Sequence, residues 1–319
     1  MILPVIISDK SDKQELVVPS DHHPCRLDRF LTAAIPSKSR TFWQERIEQG
    51  VVFLNGATVT KAGRNVFPGD RITVLPLVEE PERHRPTPQE TREFLANWLI
   101  ATHEHFWVVN KPAGLTVHAP APHFPESTLA DYFCCLEPSL YTVGEPHRPG
   151  IVHRLDKETS GVMLVARTPH GYEQLKKLFG ERLVKKTYCA FVHGHPEKMM
   201  TFTDPIIRDP FDRRRMVCSL SAGAPAQTTI EVVSYFETCS FIRAYPATGR
   251  THQIRVHCAT HGFPVVGDIL YGTPDPVLKR HALHATQISF VFDGQPYTFE
   301  AELPEELALY GKSCKLKGV

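Results

Sequence analysis

The chain has 319 residues, 42% hydrophobic and 22% charged, which places it among ordinary soluble globular proteins with room for one large domain and one small one. A formal net charge of +1 gives no basic whole, so any contact with a polyanion must come from local charge. The eight cysteines lack C-x-x-C spacing, which excludes zinc-ribbon and thioredoxin-type motifs, and no apolar run is long enough to cross a bilayer. The short apolar start has neither a basic lead nor a cleavage site, so reduced thiols in a cytoplasmic protein are expected.

In chain order, residues 1–22 show no periodicity and read as a loosely held tail. Leu27, Phe30, Leu31, Ala34 and Ile35 then recur at helical spacing until Pro36 breaks the run. A second helix is predicted from Ser39 to Glu48, with Gly50 near its stop. Asn55-Gly56 between Val51–Leu54 and Ala57–Val59 is a hairpin signal, because both turn positions need positive φ. Pro68-Gly69-Asp70 makes a further turn before Arg71–Val74. From Cys25 to Leu75 there are eight Lys or Arg against four Asp or Glu, so the basic surplus sits on this small unit. Residues 78–100 read as a linker ending in a helix through Phe94, Leu95 and Trp98.

Beyond residue 101 strand-like runs alternate with short helical ones: Phe106–Asn110, Val162–Ala166, a helix from His170 to Glu181, then strands near Thr187–Val192, Thr228–Val233, Ser240–Tyr245 and Ile288–Phe292. There is no strict βαβα order and no G-x-G-x-x-G after a strand, which argues for a mixed, largely antiparallel α+β sheet over a dinucleotide fold. The chemically richest stretch is His153-Arg154-Leu155-Asp156-Lys157-Glu158-Thr159-Ser160-Gly161, one carboxylate between basic residues ahead of a core strand. Asp156 is the only carboxylate there that reads as a site residue, which does not suit a glycosidase with paired acids. It can attack carbon covalently and still depart. In a cleft it also needs a fixed cation, because desolvation opposes its charge. The pairs His252/His257 and His281/His284, five and three residues apart and with no acidic residue beside them, are poorly spaced for zinc, and structural or RNA-contacting roles are expected for them.

Four ordered segments, Val109-Asn110-Lys111-Pro112-Ala113-Gly114, the Asp156 loop, Lys185-Lys186-Thr187-Tyr188-Cys189-Ala190, and Thr248-Gly249-Arg250-Thr251-His252-Gln253-Ile254-Arg255 with the following Gly267-Asp268, resemble the RluA-type RNA pseudouridine synthases. The resemblance implies an α+β catalytic domain over 101–319, with a largely antiparallel sheet and flanking helices, and isomerisation of uridine with no cofactor and no metal. It implies Asp156 as nucleophile, Arg255 as its cation with Arg250 as the competing candidate, and Tyr188 stacked on uracil and relaying a proton. Ile254 would pack on the other face of the ring, Arg154 would fill the gap left by the flipped nucleotide or hold a phosphate, and His153 and Arg250 would join the substrate side. Arg213-Arg214-Arg215 would face RNA. Residues 23–77, through Arg26-Leu27-Asp28-x-Phe30-Leu31, Val52-x-Leu54-Asn55-Gly56 and Pro68-Gly69-Asp70, resemble the small α+β RNA-binding domain first described in a ribosomal protein. Lys38, Arg40, Arg46, Lys61 and Arg64 would meet RNA there. The expected partner is large-subunit ribosomal RNA, with transfer RNA or a catalytically silent RNA-binding factor as alternatives; a monomer is expected.

Overall fold

A computed structural model describes residues 6–8, 14–36, 38–75, 84–121, 124–219 and 222–316. The chain divides into two compact units, Met1–Glu82 and Arg83–Val319.

The first unit contains β1 (Ile6–Ser8), β2 (Gln14–Val17), β3 (Cys25–Arg26), α1 (Leu27–Ala34), α2 (Arg40–Glu48), β4 (Val52–Leu54), β5 (Ala57–Thr58), β6 (Asn65–Val66) and β7 (Arg71–Val74). Its main sheet runs in the order β1-β2-β7-β4-β5. Ser39 caps α2 by accepting the Phe42 amide at 3.2 Å, and Asn55 and Gly56 take the positive φ values that the β4–β5 turn requires, 53° and 79°. Leu27, Leu31, Trp43, Ile47 and Ile72 are fully buried between the helices and the sheet. The predicted tail is corrected here. Leu16 of β2 pairs with Ile72, and Leu16 and Val18 belong to the core, so this part of 1–22 is a structural strand. A four-residue strand is too short to show its alternation in sequence.

The second unit contains α3 (Pro88–Trp98), β8 (Leu99–Thr102), β9 (Phe106–Lys111), α4 (Leu129–Leu136), a 3-10 turn (Pro138–Thr142), β10 (Gly144–Glu145), β11 (Arg148–Pro149), β12 (Ser160–Ala166), α5 (Pro169–Gly180), β13 (Lys185–His193), β14 (Met199–Phe202), β15 (Ile206–Arg208), β16 (Met216–Cys218), β17 (Thr228–Tyr235), β18 (Cys239–Pro246), α6 (Gln253–Thr260), β19 (Leu283–Phe292), β20 (Gln295–Glu300) and α7 (Glu305–Ser313). The C-terminal half of the predicted linker belongs to this unit. Thr87 and Glu90 form a capping box that starts α3, Phe94 stacks on Tyr132 of α4 at 4.4 Å, and β8 pairs with β9. Residues 78–83 of that segment lie outside the described residues.

The large sheet runs β14-β17-β18-β13-β19-β12-β9-β8, with β20 paired to the outer part of β19. Every pairing in it is antiparallel except β12 with β19, which meet over only Ser160↔His284 and Gly161↔Ala285. Gly161 makes that junction possible: its φ is 124°, and a Cβ there would stand 2.2 Å from the Ala285 carbonyl oxygen. One hydrophobic cluster gathers on β9, β12, α4 and α5, another on β13, β17, β18 and α6, and Tyr188 packs against both. Among the described residues no helix is long and apolar enough to cross a membrane, and all eight cysteines are free.

Candidate active site

The loop that carries Asp156 is held from beneath by buried cations. Lys111, at the end of β9, is fully buried and donates from Nζ to the carbonyls of Pro112, Leu115 and Lys157 at 2.8, 2.9 and 3.0 Å. Burial pulls its pKa down to about 7, opposed by the charges of Glu158 and Asp156. On the other side Arg280 donates to the Glu158 carbonyl and to Ser160 Oγ, while Thr159 Oγ1 pairs with His281 Nε2 at 2.7 Å and Ser160 Oγ with His284 Nδ1 at 2.8 Å. The neighbours of Asp156 are thus fixed to the frame, and its own carboxylate remains at the wall of a cleft of about 400 Å³.

Arg255 reaches Asp156 from α6. Its Nη1 donates to Asp156 Oδ2 at 2.9 Å, while Nε and Nη2 fork onto Asp268 at 2.7 and 2.9 Å. Asp268 also accepts the amides of Leu270 and Tyr271, and the Tyr271 ring lies 5.0 Å from the Arg255 guanidinium carbon. Burial works against the charged guanidinium, but the Asp268 hydrogen bonds and the Asp156 charge more than offset it and hold the pKa above the ordinary arginine value. Burial likewise opposes the Asp268 carboxylate, and Arg255 reverses the balance and lowers its pKa.

The helix itself is anchored by Gln253, which accepts from Thr248 Oγ1 and the Arg250 amide and donates to the Gln227 carbonyl and Thr228 Oγ1. His252 takes a left-handed φ of 56° just before it, so α6 starts at Gln253. That strained residue faces the site: Nε2 lies 3.9 Å from Asp156 Oδ1 and Nδ1 is 2.7 Å from the Tyr271 hydroxyl.

Tyr188 enters from β13 at a bulge, where the register against β19 shifts between Thr187 and Tyr188. It pairs with Ala285, the same residue that pairs with Gly161, so the tyrosine stands one strand away from the strand that follows the Asp156 loop. Burial, reinforced by the Asp156 charge, raises its pKa, and the phenol keeps its proton at neutral pH. Lys186, two residues earlier on β13, lines the same cleft and donates to the Thr248 carbonyl at 3.1 Å; burial lowers its pKa to about 8.

The cleft therefore collects Asp156, Tyr188, Arg255, Ile254, Arg154, Arg250 and His153 from the sequence-based set. Of the two candidate cations, Arg255 contacts Asp156, whereas Arg250 donates from Nε to the Pro225 carbonyl. His153 is committed to the scaffold: its Nε2 accepts the Leu164 amide at 2.9 Å, its ring stacks on Phe179 at 4.3 Å, and burial followed by the Lys186 charge pulls its pKa to about 3. Arg154 is exposed at the cleft mouth. Sequence reasoning assigned no site role to Lys111, Lys186, Asp268, Arg182 or Arg280, and considered His252 only as a poor zinc ligand. Lys186 had a signal, since positions two apart on a strand share a face with Tyr188.

In the first unit, the named basic residues are placed as follows. Arg40 donates to the buried Asp28, which also accepts from Arg26 and Gln44. Burial would raise the Asp28 pKa; these partners hold it well below the usual carboxylate range. Lys38 and Arg46 both lie 5.1 Å from the Phe42 ring centroid, and Lys61 and Arg64 are exposed.

A family model described as RNA pseudouridylate synthase matches residues 105–260, and an S4 domain matches 25–72. An uncharacterized RNA pseudouridine synthase of Chloroflexus aurantiacus is 37% identical over 94% of this chain and 93% of its own length. The ribosomal large subunit pseudouridine synthase D of Nitrosomonas europaea is 35% identical over 92% of this chain and 86% of its own. Among solved structures, human RNA Pseudouridylate Synthase Domain Containing 1 superposes with a TM-score of 0.54 at 28% identity, over 64% of this chain and 82% of that one. With relatives of this identity along nearly its whole length and a cleft built on the matched segment, the chain belongs to the RNA pseudouridine synthases, enzymes that act on uridine in RNA.

Proposed function

We propose that this protein isomerises uridine to pseudouridine in large-subunit ribosomal RNA, with Asp156 as the nucleophile and no cofactor. The observation that carries the chemistry is the Asp156 carboxylate held 2.9 Å from a guanidinium that is itself forked onto the buried Asp268. Relatives named as large-subunit synthases, at 33–35% identity, support the ribosomal target. The reaction balances without a redox partner: the N-glycosidic bond breaks, the uracil turns, its carbon five joins the ribose, one proton leaves that carbon and one arrives at the ring nitrogen. Asp156 forms the transient covalent bond to the substrate.

The uridine must leave its stack to enter the cleft. Tyr188 and Ile254 then offer a ring face and an apolar face to the detached base, and Arg154 at the mouth suits the vacated stack or a flanking phosphate. Because Tyr188 stays protonated, it would serve as a hydrogen-bond donor and proton conduit, not as a phenolate base. In the S4-type unit Lys38, Arg40, Arg46, Lys61 and Arg64 would add phosphate contacts away from the cleft.

The test is pseudouridine mapping, by carbodiimide-blocked reverse transcription, of total RNA from cells lacking the gene and rescued with wild type or Asp156→Asn. Sites lost on deletion and restored only by wild type are expected in large-subunit ribosomal RNA. Restoration by Asp156→Asn would remove the nucleophile assignment, and loss confined to transfer RNA would remove the ribosomal target.

A further inference from the structure

His257, which sequence spacing set aside, acquires new neighbours in the fold. His257, in α6, and His261, at its C-cap, are one helical turn apart and so share a face. Against that face lie the two ends of the β15–β16 hairpin, Asp204 just before β15 and Cys218 at the end of β16. One donor atom each from Asp204, Cys218 and His257 fall within 4.8 Å of one another, and His261 Nε2 is 2.7 Å from Asp204 Oδ2.

We infer that Asp204, Cys218, His257 and His261 form a binding site for zinc or a divalent cation of the same borderline-soft class, outside the catalytic cleft. Two imidazoles, a thiol and a carboxylate are a zinc donor set; calcium and magnesium would call for oxygens. The donors are already oriented. His257 Nδ1 sits 2.9 Å from Thr228 Oγ1, the type of outer partner that fixes a ligating imidazole, and Phe202 stacks on His261 at 4.3 Å. His257 Nε2 faces the Asp204 main-chain carbonyl at 3.0 Å, and a metal taken up at this nitrogen replaces that contact. Binding releases the proton of the Cys218 thiol and any proton on the coordinating ring nitrogens to solvent, so it strengthens as pH rises.

The position gives the site a role. The loop of this hairpin carries Phe211, 97% exposed, with Arg213, Arg214 and Arg215, while α6 carries Arg255. The Met216 amide also donates to the Tyr271 hydroxyl, which bonds His252. A cation at the hairpin base would lock this basic arm to the helix that holds Asp156's partner.

The experiment uses the full chain, stripped of metal and titrated with cobalt(II). One equivalent should bind with tetrahedral visible bands and a thiolate-to-cobalt charge-transfer band, and zinc should displace it. Cys218→Ser should abolish the charge-transfer band, and both Cys218→Ser and His261→Ala should weaken zinc binding by at least about tenfold. Zinc should raise the melting temperature of wild type but not of Cys218→Ser. No stoichiometric cobalt binding, or a charge-transfer band and zinc affinity unchanged in Cys218→Ser, overturns the site and leaves His257 as a hydrogen-bonded core histidine.

Discussion

Arg255 holds two carboxylates on one guanidinium, and the two differ in what they do. Asp268 is fully buried and takes two of its donors; Asp156, 18% exposed at the side chain, takes the third. Removing one partner of a buried pair leaves an uncompensated charge and costs about 3–5 kcal/mol. Asp268→Ala is therefore expected to destabilise the protein by about that amount in urea unfolding. Asp156→Asn should cost far less, since it keeps the oxygen acceptor and Arg255 retains Asp268. Equal losses for the two variants would contradict this division between a positioning residue and the residue proposed to react.

At the scale of elements, the site depends on the two-residue parallel contact between β12 and β19. Backbone strain at a non-glycine residue with an unfavourable φ costs roughly 1–3 kcal/mol, and a backbone clash adds to it. Gly161→Ala should thus lower stability by more than about 3 kcal/mol, because φ is 124° and the new Cβ would meet the Ala285 carbonyl oxygen. A thermal melt within a few degrees of wild type would show that the junction can open without cost. An element-by-element reading missed the β12–β19 contact because it began β19 only near Ile288, after His284 and Ala285, and because the glycine's close approach has no local sequence signature beyond the residue itself.

Across the molecule, buried neutral histidines make stability depend on acid. His281 and His284 are almost inaccessible, and burial, with the nearby Arg255 charge for His281, brings their pKa values to about 3 and about 4. The unfolded chain, titrating near pH 6.5, binds more protons than the native state below that value, so stability is fully present above about pH 6.5 and is lost as pH falls. At pH 5 the loss should reach about 2 kcal/mol for each histidine. Urea unfolding at pH 7.5 and 5 measures it; an unchanged midpoint would mean that both imidazoles accept a proton within the fold. Both hydrogen-bond to residues just before or at the start of β12, Thr159 and Ser160, so the same acid step weakens the seat of the Asp156 loop.

The sequence by itself determined the α+β class, about half of the strands and helices and the hairpin at Asn55-Gly56, while the resemblance of its motifs to a known family nominated Asp156, Tyr188 and Arg255. The elements rest on local periodicity and turn chemistry and the nominated residues on a resemblance carried by short contiguous motifs, all of which a linear reading contains. Tertiary structure decided which arginine meets Asp156. Arg250 and Arg255 are five positions apart and chemically identical, and only the anchoring of α6 by Gln253 and the Asp268 fork distinguishes them. It also decided the fate of Lys111, Arg280 and His281, each of which has a partner in the Asp156 loop 46 to 122 residues away. The same holds for β2, placed in the sheet by β7 rather than by any pattern of its own. Burial and partner identity are properties of contacts between distant segments, and a charge in a sequence carries no mark of whether water or protein will surround it.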